Sequence, residues 1–292
     1  MGEIGFLGLG VMGKAIAMNL LGRGFKLVVW NRTLSRAEEL VEHGATVAKT
    51  PAEVIKKCKF TMAMLSDPAA SLSVVFDQGG VLEQICSGKG YMDMSTLDAN
   101  TTIKISEAIA AKGGAFLEGP VSGTRKHSES GQLIIIAAGD KSLYEEVLPI
   151  IDLMSKKSFF LGKVGNGAKM KLSLQVIMGS MFNSLAEGLV LAEKSGLDPQ
   201  TFLDILDIGA LGNPLFRRKG PPMIQGDYSP VFSMNLQQKD MRLALSLADE
   251  LLVPVPVAAA SNEVLEKGIS MGLGDLDTCA VHLVAKAGKG SF

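Results

Sequence analysis

The sequence predicts an α/β protein: a doubly wound, mostly parallel sheet at the N-terminus, then an all-α domain, joined by a long interdomain helix. Three observations predict it. Short apolar runs alternate with helical patterns through the first half of the chain, and such alternation builds a parallel sheet with helices on both faces. After Gly167 the strand-like runs stop and helical patterns follow one another. Between the two regimes, Ala168–Gly196 is a single helical pattern without a proline. The change places the boundary near Val164, giving domains 1–164 and 165–292.

Element by element, Glu3–Leu7 and Lys26–Trp30 read as strands separated by a helix from about Val11 to Arg23. Phe60–Leu65, Tyr91–Met94, Ala115–Glu118, Leu133–Ala138 and Ser158–Leu161 continue the strands, each bounded by turn-forming residues. Ser35–His43, Pro51–Lys56 and Thr101–Lys112 are helical between them. Pro199–Ile208, Leu236–Leu252, Val255–Met271 and Asp275–Ala285 complete the helical half. Met178, Met181, Phe182, Leu185 and Leu189, at helical spacing, read mostly as core, some of it available to a subunit boundary. Residues 287–292 read as a mobile tail.

Composition narrows the function classes. The 292 residues are 47% apolar, enough for a large core, and 29 basic against 30 acidic side chains leave a net charge of −1. That balance gives no broad electrostatic reason to bind nucleic acid or an anionic membrane. Cys58, Cys86 and Cys279 lie far apart, and His43, His127 and His282 form no ligand pair, so neither a disulfide framework nor a metal site is expected. The N-terminus lacks a secretory pattern, and Gln175, Asn183 and Glu187 interrupt the most apolar stretch. A cytoplasmic protein is the expectation.

Gly8-Leu9-Gly10-Val11-Met12-Gly13 closes the first strand and opens the first helix. In this setting the first glycine permits the tight turn, the second admits a pyrophosphate, and the third allows close helix–strand packing. The helix N-terminus then faces the phosphates. A GxGxxG string alone is weak; its place between strand and helix makes a Rossmann-type dinucleotide site the expectation. The second strand ends in Asn31-Arg32-Thr33 rather than in the acidic residue that holds a 2′-hydroxyl in NAD enzymes. Arg32 suits a 2′-phosphate, so NADP (as NADPH) is the expected cofactor.

These segments, with Glu118-Gly119-Pro120-Val121-Ser122-Gly123, Gly165-Asn166-Gly167-Ala168-Lys169-Met170-Lys171 and Lys239-Asp240, resemble the β-hydroxyacid dehydrogenase family over nearly the whole chain. Pro51–Lys57 and Ser66-Asp67-Pro68 are most similar to its plant-type glyoxylate/succinic semialdehyde reductases. The resemblance implies NADPH-dependent reduction of a short aldehyde acid by a homo-oligomer. It makes Lys171 the catalytic lysine, with Ser122, Gly123 and Thr124 on the substrate carboxylate. It sets Leu65, Ser66 and Thr96 along the cofactor and nicotinamide, Lys239 against the cofactor, and Asp240 and Phe232 beside the substrate. Gln175 replaces the family's usual Asn, one helical turn beyond the lysine, which adds a methylene to the site.

An ammonium can both steady negative charge on a carbonyl oxygen and deliver its proton. Helix position alone leaves Lys169 and Lys171 open, since they point roughly 200° apart; the resemblance selects Lys171. Asp240 either orders a lysine or water, or is a first-turn carboxylate favouring its own helix. Arg125-Lys126-His127 reads as a charged surface loop. Two other readings compete with the reductase. An imine reductase or reductive aminase shares the two-domain plan, but such relatives replace the lysine; a non-catalytic dehydrogenase-like scaffold tends to lose it too.

Overall fold

The computed structural model describes residues 2–287. β1 (Ile4–Leu7), α1 (Val11–Gly22), β2 (Leu27–Trp30), α2 (Glu38–Glu42), β3 (Thr46–Val47), α3 (Pro51–Lys57) and β4 (Phe60–Ala63) follow in order. Next come α4 (Pro68–Phe76), β5 (Gly90–Asp93), α5 (Ala99–Ala111), β6 (Ala115–Glu118) and β7 (Val121–Ser122). α6 (Arg125–Ser130), β8 (Leu133–Gly139), α7 (Lys141–Met154) and β9 (Ser155–Phe160) complete the sheet region. Strand order is β3-β2-β1-β4-β5-β6-β8-β7, with β9 against β8. Pairing is parallel from β3 through β6, while β8 runs antiparallel to β6 and β7. The order reverses between β1 and β4, which opens a crevice at their carboxyl ends, the place where sheets of this class bind ligands.

Local chemistry explains the elements. All four residues of β1, β4 and β5 are buried, as strands covered on both faces must be. Thr50, Asp67, Asp98 and Asp140 cap α3, α4, α5 and α7 by accepting an N–H three residues on, and Pro51 and Pro68 occupy first-turn positions that need no donor.

α8 (Asn166–Lys194) runs from one compact unit, ending at Leu172, into a second that starts at Ser173. In the second unit its Phe182, Leu185 and Leu189 form a core with α9 (Pro199–Ile208), α10 (Pro214–Gln225), α11 (Met234–Glu250), α12 (Pro256–Ser270) and α13 (Val281–Lys286). α8 is long and apolar enough to cross a membrane by length and composition. Phe182, Leu185 and Leu189 on it are buried, as in a core helix.

The parallel sheet and the helical second half match the expected fold class. Four helices lie outside the sequence reading: α4, α6, α7 and α10. α7 and α10 carry internal prolines (Pro149; Pro221 and Pro222), and α4 is short and opens on a proline, each of which reads as a break in a linear pattern. Asp275–Ala285 is a 3-10 turn (Thr278–Ala280) followed by α13 rather than one helix. Arg125-Lys126-His127 is helical, not a loop: α6 starts at a capping box between Thr124 and His127 and is tied to α1 by Asn19 Nδ2 donating to the Glu129 carbonyl at 2.7 Å. Of the expected tail, residues 288–292 lie outside the described residues.

Candidate active site

The glycine turn after β1 shows why each glycine is needed. Gly8 has φ of +94°, and a Cβ there would lie 2.4 Å from the Met64 carbonyl oxygen. A Cβ on Gly13 would lie 2.1 Å from the Gly8 oxygen, so α1 packs directly on the turn. Gly10 differs: no atom lies within 4 Å of its Cβ position, and as N-cap of α1 it offers no side chain to the helix amides. Two glycines closed by protein and one open beside a helix N-terminus fit a dinucleotide pyrophosphate.

The surrounding loops are held by side chains rather than by chance. Asn31 Oδ1 accepts the Leu9 N–H at 2.8 Å while its amide donates to the Thr33 carbonyl at 2.8 Å, clipping the turn to the end of β2. Arg32 and Thr33 are exposed beyond it. Val11 is exposed and Met12 half-buried, its sulfur taking the Ser128 hydroxyl. Leu65 donates its N–H to Ser95 Oγ at 2.8 Å, and Ser95 donates its own N–H to Asp93 Oδ1 at 2.9 Å. Asp93 thereby fixes the strand-end loops that carry Leu65, Ser66 and Thr96. Burial raises its pKa against the pull of Ser95 and Ser71.

Ser122 sits in β7, paired with Ile134. Gly123 has φ of +150°, and a Cβ there would lie 2.7 Å from Leu133 Cδ2. Thr124 is already engaged, donating its N–H to His127 Nδ1 at 3.1 Å.

Glu118, at the end of β6, was not among the residues singled out for chemistry. It is 2% exposed, and its carboxylate accepts the N–H groups of Gly165 (2.6 Å), Gly167 (3.0 Å) and Ala168 (3.0 Å) at the start of α8. Burial pushes its pKa from 4.5 up to about 7 despite those three donors, and Asp93, its neighbour on β5, adds to the rise. Folding therefore takes up a proton here: the group favours the folded state fully below pH 4.5 and progressively less as pH rises towards about 7.

α8 separates the two lysines. Lys171 is 8% exposed and Lys169 is exposed, as a 200° difference around a helix requires. Gln175 is buried one turn beyond Lys171. In the second unit its amide donates to Asp240 Oδ2, and Asp240 Oδ1 lies 2.7 Å from Lys239 Nζ. Asp240 is the seventh residue of α11, past the first turn, so it is not a helix-end carboxylate. Phe232 is half-buried on the loop before α11; Asp277 Oδ2 accepts its N–H and that of Val231, both at 3.1 Å. Among the described residues no three His, Cys, Asp or Glu side chains cluster as metal ligands.

The family model described as the NAD-binding domain of 6-phosphogluconate dehydrogenase matches residues 3–162. The model described as the NAD-binding domain of NADP-dependent 3-hydroxyisobutyrate dehydrogenase matches residues 165–284. The chain belongs to the β-hydroxyacid dehydrogenase family. As a member it is an NAD(P)-dependent oxidoreductase, and NADP(H) is the cofactor. It is 66% identical over 279 residues to glyoxylate/succinic semialdehyde reductase 1 of Arabidopsis thaliana, covering 96% of each chain. The human cytokine-like nuclear factor N-PAC is 45% identical over 280 residues; this chain spans 51% of that protein and is itself 96% covered. The 3-hydroxyisobutyrate dehydrogenase YgbJ of Salmonella typhimurium shares the fold at a TM-score of 0.90 and 23% identity, with 97% of this chain and all of that one covered.

Proposed function

We propose that this family member reduces short aldehyde acids with NADPH, converting glyoxylate to glycolate and succinic semialdehyde to 4-hydroxybutyrate. The observation that carries the reading is the 66% identity to the Arabidopsis reductase across nearly the full length of both chains. When bound, NADPH supplies the hydride. Gly8, Leu9, Gly10, Val11, Met12 and Gly13 would hold its pyrophosphate, Asn31, Arg32 and Thr33 its 2′-phosphate end, and Leu65, Ser66, Thr96 and Lys239 the remainder. Lys171 Nζ would steady negative charge growing on the aldehyde oxygen and give it a proton. Ser122, Gly123 and Thr124 would seat the substrate carboxylate, while Phe232, Gln175 and Asp240 shape the rest of the substrate site. The reading includes a cytosolic homo-oligomer; exposed Met170, Leu174 and Ile177 along one stripe of α8 support the self-association.

The test is loss of reduced-nicotinamide absorbance with each aldehyde alone and, side by side, with a cyclic imine. Turnover of both aldehydes and not of the imine is the expected result. Imine turnover alone would replace this reading with an imine reductase, and no turnover of any carbonyl would leave a non-catalytic relative. Cofactor choice has its own check. Arg32→Ala is expected to raise the KM for NADPH roughly ten- to hundredfold, the worth of charge-assisted bonds to a phosphate. The KM for NADH, which lacks that phosphate, should hardly move, and equal changes in both would remove Arg32 from the selectivity.

A further inference from the structure

We infer that Glu118 is a positioning residue for Lys171, acting as a built-in carboxyl cap on α8; the inference rests on the lysine's role proposed above. The first amide groups of a helix have no partner within it. Three of those at the start of α8 are bound by this one carboxylate, Oε1 taking Gly165 and Gly167 and Oε2 taking Ala168. The backbone is shaped to admit it. Gly165 has φ of +93°, and a Cβ on Gly167 would sit 3.0 Å from Glu118 Cδ and 2.7 Å from the Ile136 carbonyl oxygen.

Lys171 follows Ala168 by three residues, less than one helical turn. Any slip or rotation of the first turn is therefore passed directly to the amine. β6 is a central sheet strand, paired on both sides with β5 and β8, so the carboxylate is a fixed anchor. When ionised it also offsets the positive end of a helix that carries a cation in its second turn, an arrangement the helix dipole alone disfavours. A neutral amide could not replace it fully: one oxygen would still accept Gly165 and Gly167, but an NH₂ group would face the Ala168 N–H.

The experiment compares Glu118→Gln, Glu118→Asp and Gly167→Ala with Ile109→Val, a buried change on α5 in the core of the same unit. Glu118→Gln is expected to lower kcat for glyoxylate roughly ten- to hundredfold, the scale of an ångström's misplacement, while the KM for NADPH stays within about twofold. Amide hydrogen exchange over residues 165–168 should speed up. Glu118→Asp should recover part of the rate, Gly167→Ala should mimic the loss with the carboxylate present, and Ile109→Val should lower the melting temperature without changing kcat. Unchanged kcat or unchanged exchange in Glu118→Gln, or an aspartate no better than glutamine, would overturn the inference. Should Glu118→Gln fail to fold, Glu118→Asp and Gly167→Ala decide by the same two readouts. If Lys171→Met kept its activity while Glu118→Gln still loosened residues 165–168, the lysine reading would have failed and the cap would stand.

Discussion

Lys171→Met is expected to lower kcat by about 10²–10⁴-fold, the usual contribution of a positioned proton donor. The change keeps much of the side chain's length and apolar stem while deleting the ammonium. The cofactor turn at Gly8–Gly13 belongs to a different part of the sheet, so the KM for NADPH should hold. Loss of kcat at constant cofactor KM marks an interaction made in the transition state rather than in binding. Lys169→Met is the internal comparison. It removes the same charge two residues away, from an exposed position on another side of α8, and should leave kcat nearly unaltered. Equal effects of the two substitutions, or near-normal turnover by Lys171→Met, would take the lysine out of the chemistry.

Lys219→Met is expected to cost about 3–5 kcal/mol of stability, because it strands the buried Asp277 carboxylate. Lys219 is 6% exposed and Asp277 1%, with Nζ 2.6 Å from Oδ1, and the ammonium also lies 5.8 Å from the Phe182 ring centroid. Burial works to raise the Asp277 pKa, but Lys219 and the Cys279 N–H outweigh it and hold the carboxyl below 3.8. A depressed carboxylate contributes its stability above its unfolded pKa and loses it as pH falls through the folded one. Without Lys219 the buried carboxyl protonates more readily than in the intact pair, so the deficit of Lys219→Met, measured by urea unfolding, should be largest at neutral and higher pH and shrink as pH falls and the stranded charge is neutralised. Adding Asp277→Asn should restore part of it by removing the unpaired charge. A deficit independent of pH would mean that lost packing, not the ion pair, accounts for the change. Since Asp277 also holds the Val231 and Phe232 amides, a raised KM for the aldehyde in Asp277→Asn would tie this pair to the Phe232 loop.

What could be read from the chain depends on how far apart the interacting residues lie. The Gly8, Gly10 and Gly13 turn was legible because its requirements are local: a left-handed φ at Gly8, and a helix that must touch the strand just before it. The failure at α10 has the opposite cause. Pro221 and Pro222 look like terminators, yet the helix persists because Met223 packs into a core assembled from distant segments. Asp240 was legible as a polar position and not as a partner, since nothing near it in the chain announces Gln175 sixty-five residues earlier.

The alternation of strands with helices, the switch to a helical second half and the dinucleotide turn are thus properties of the sequence alone, because periodicity and glycine φ act within a few residues. Folding alone decided that Glu118 meets the start of α8 across 47 residues, and that Asp277 meets Lys219 across 58. Buried charge must find donors wherever the packed chain supplies them, and a linear pattern does not record which ones those are.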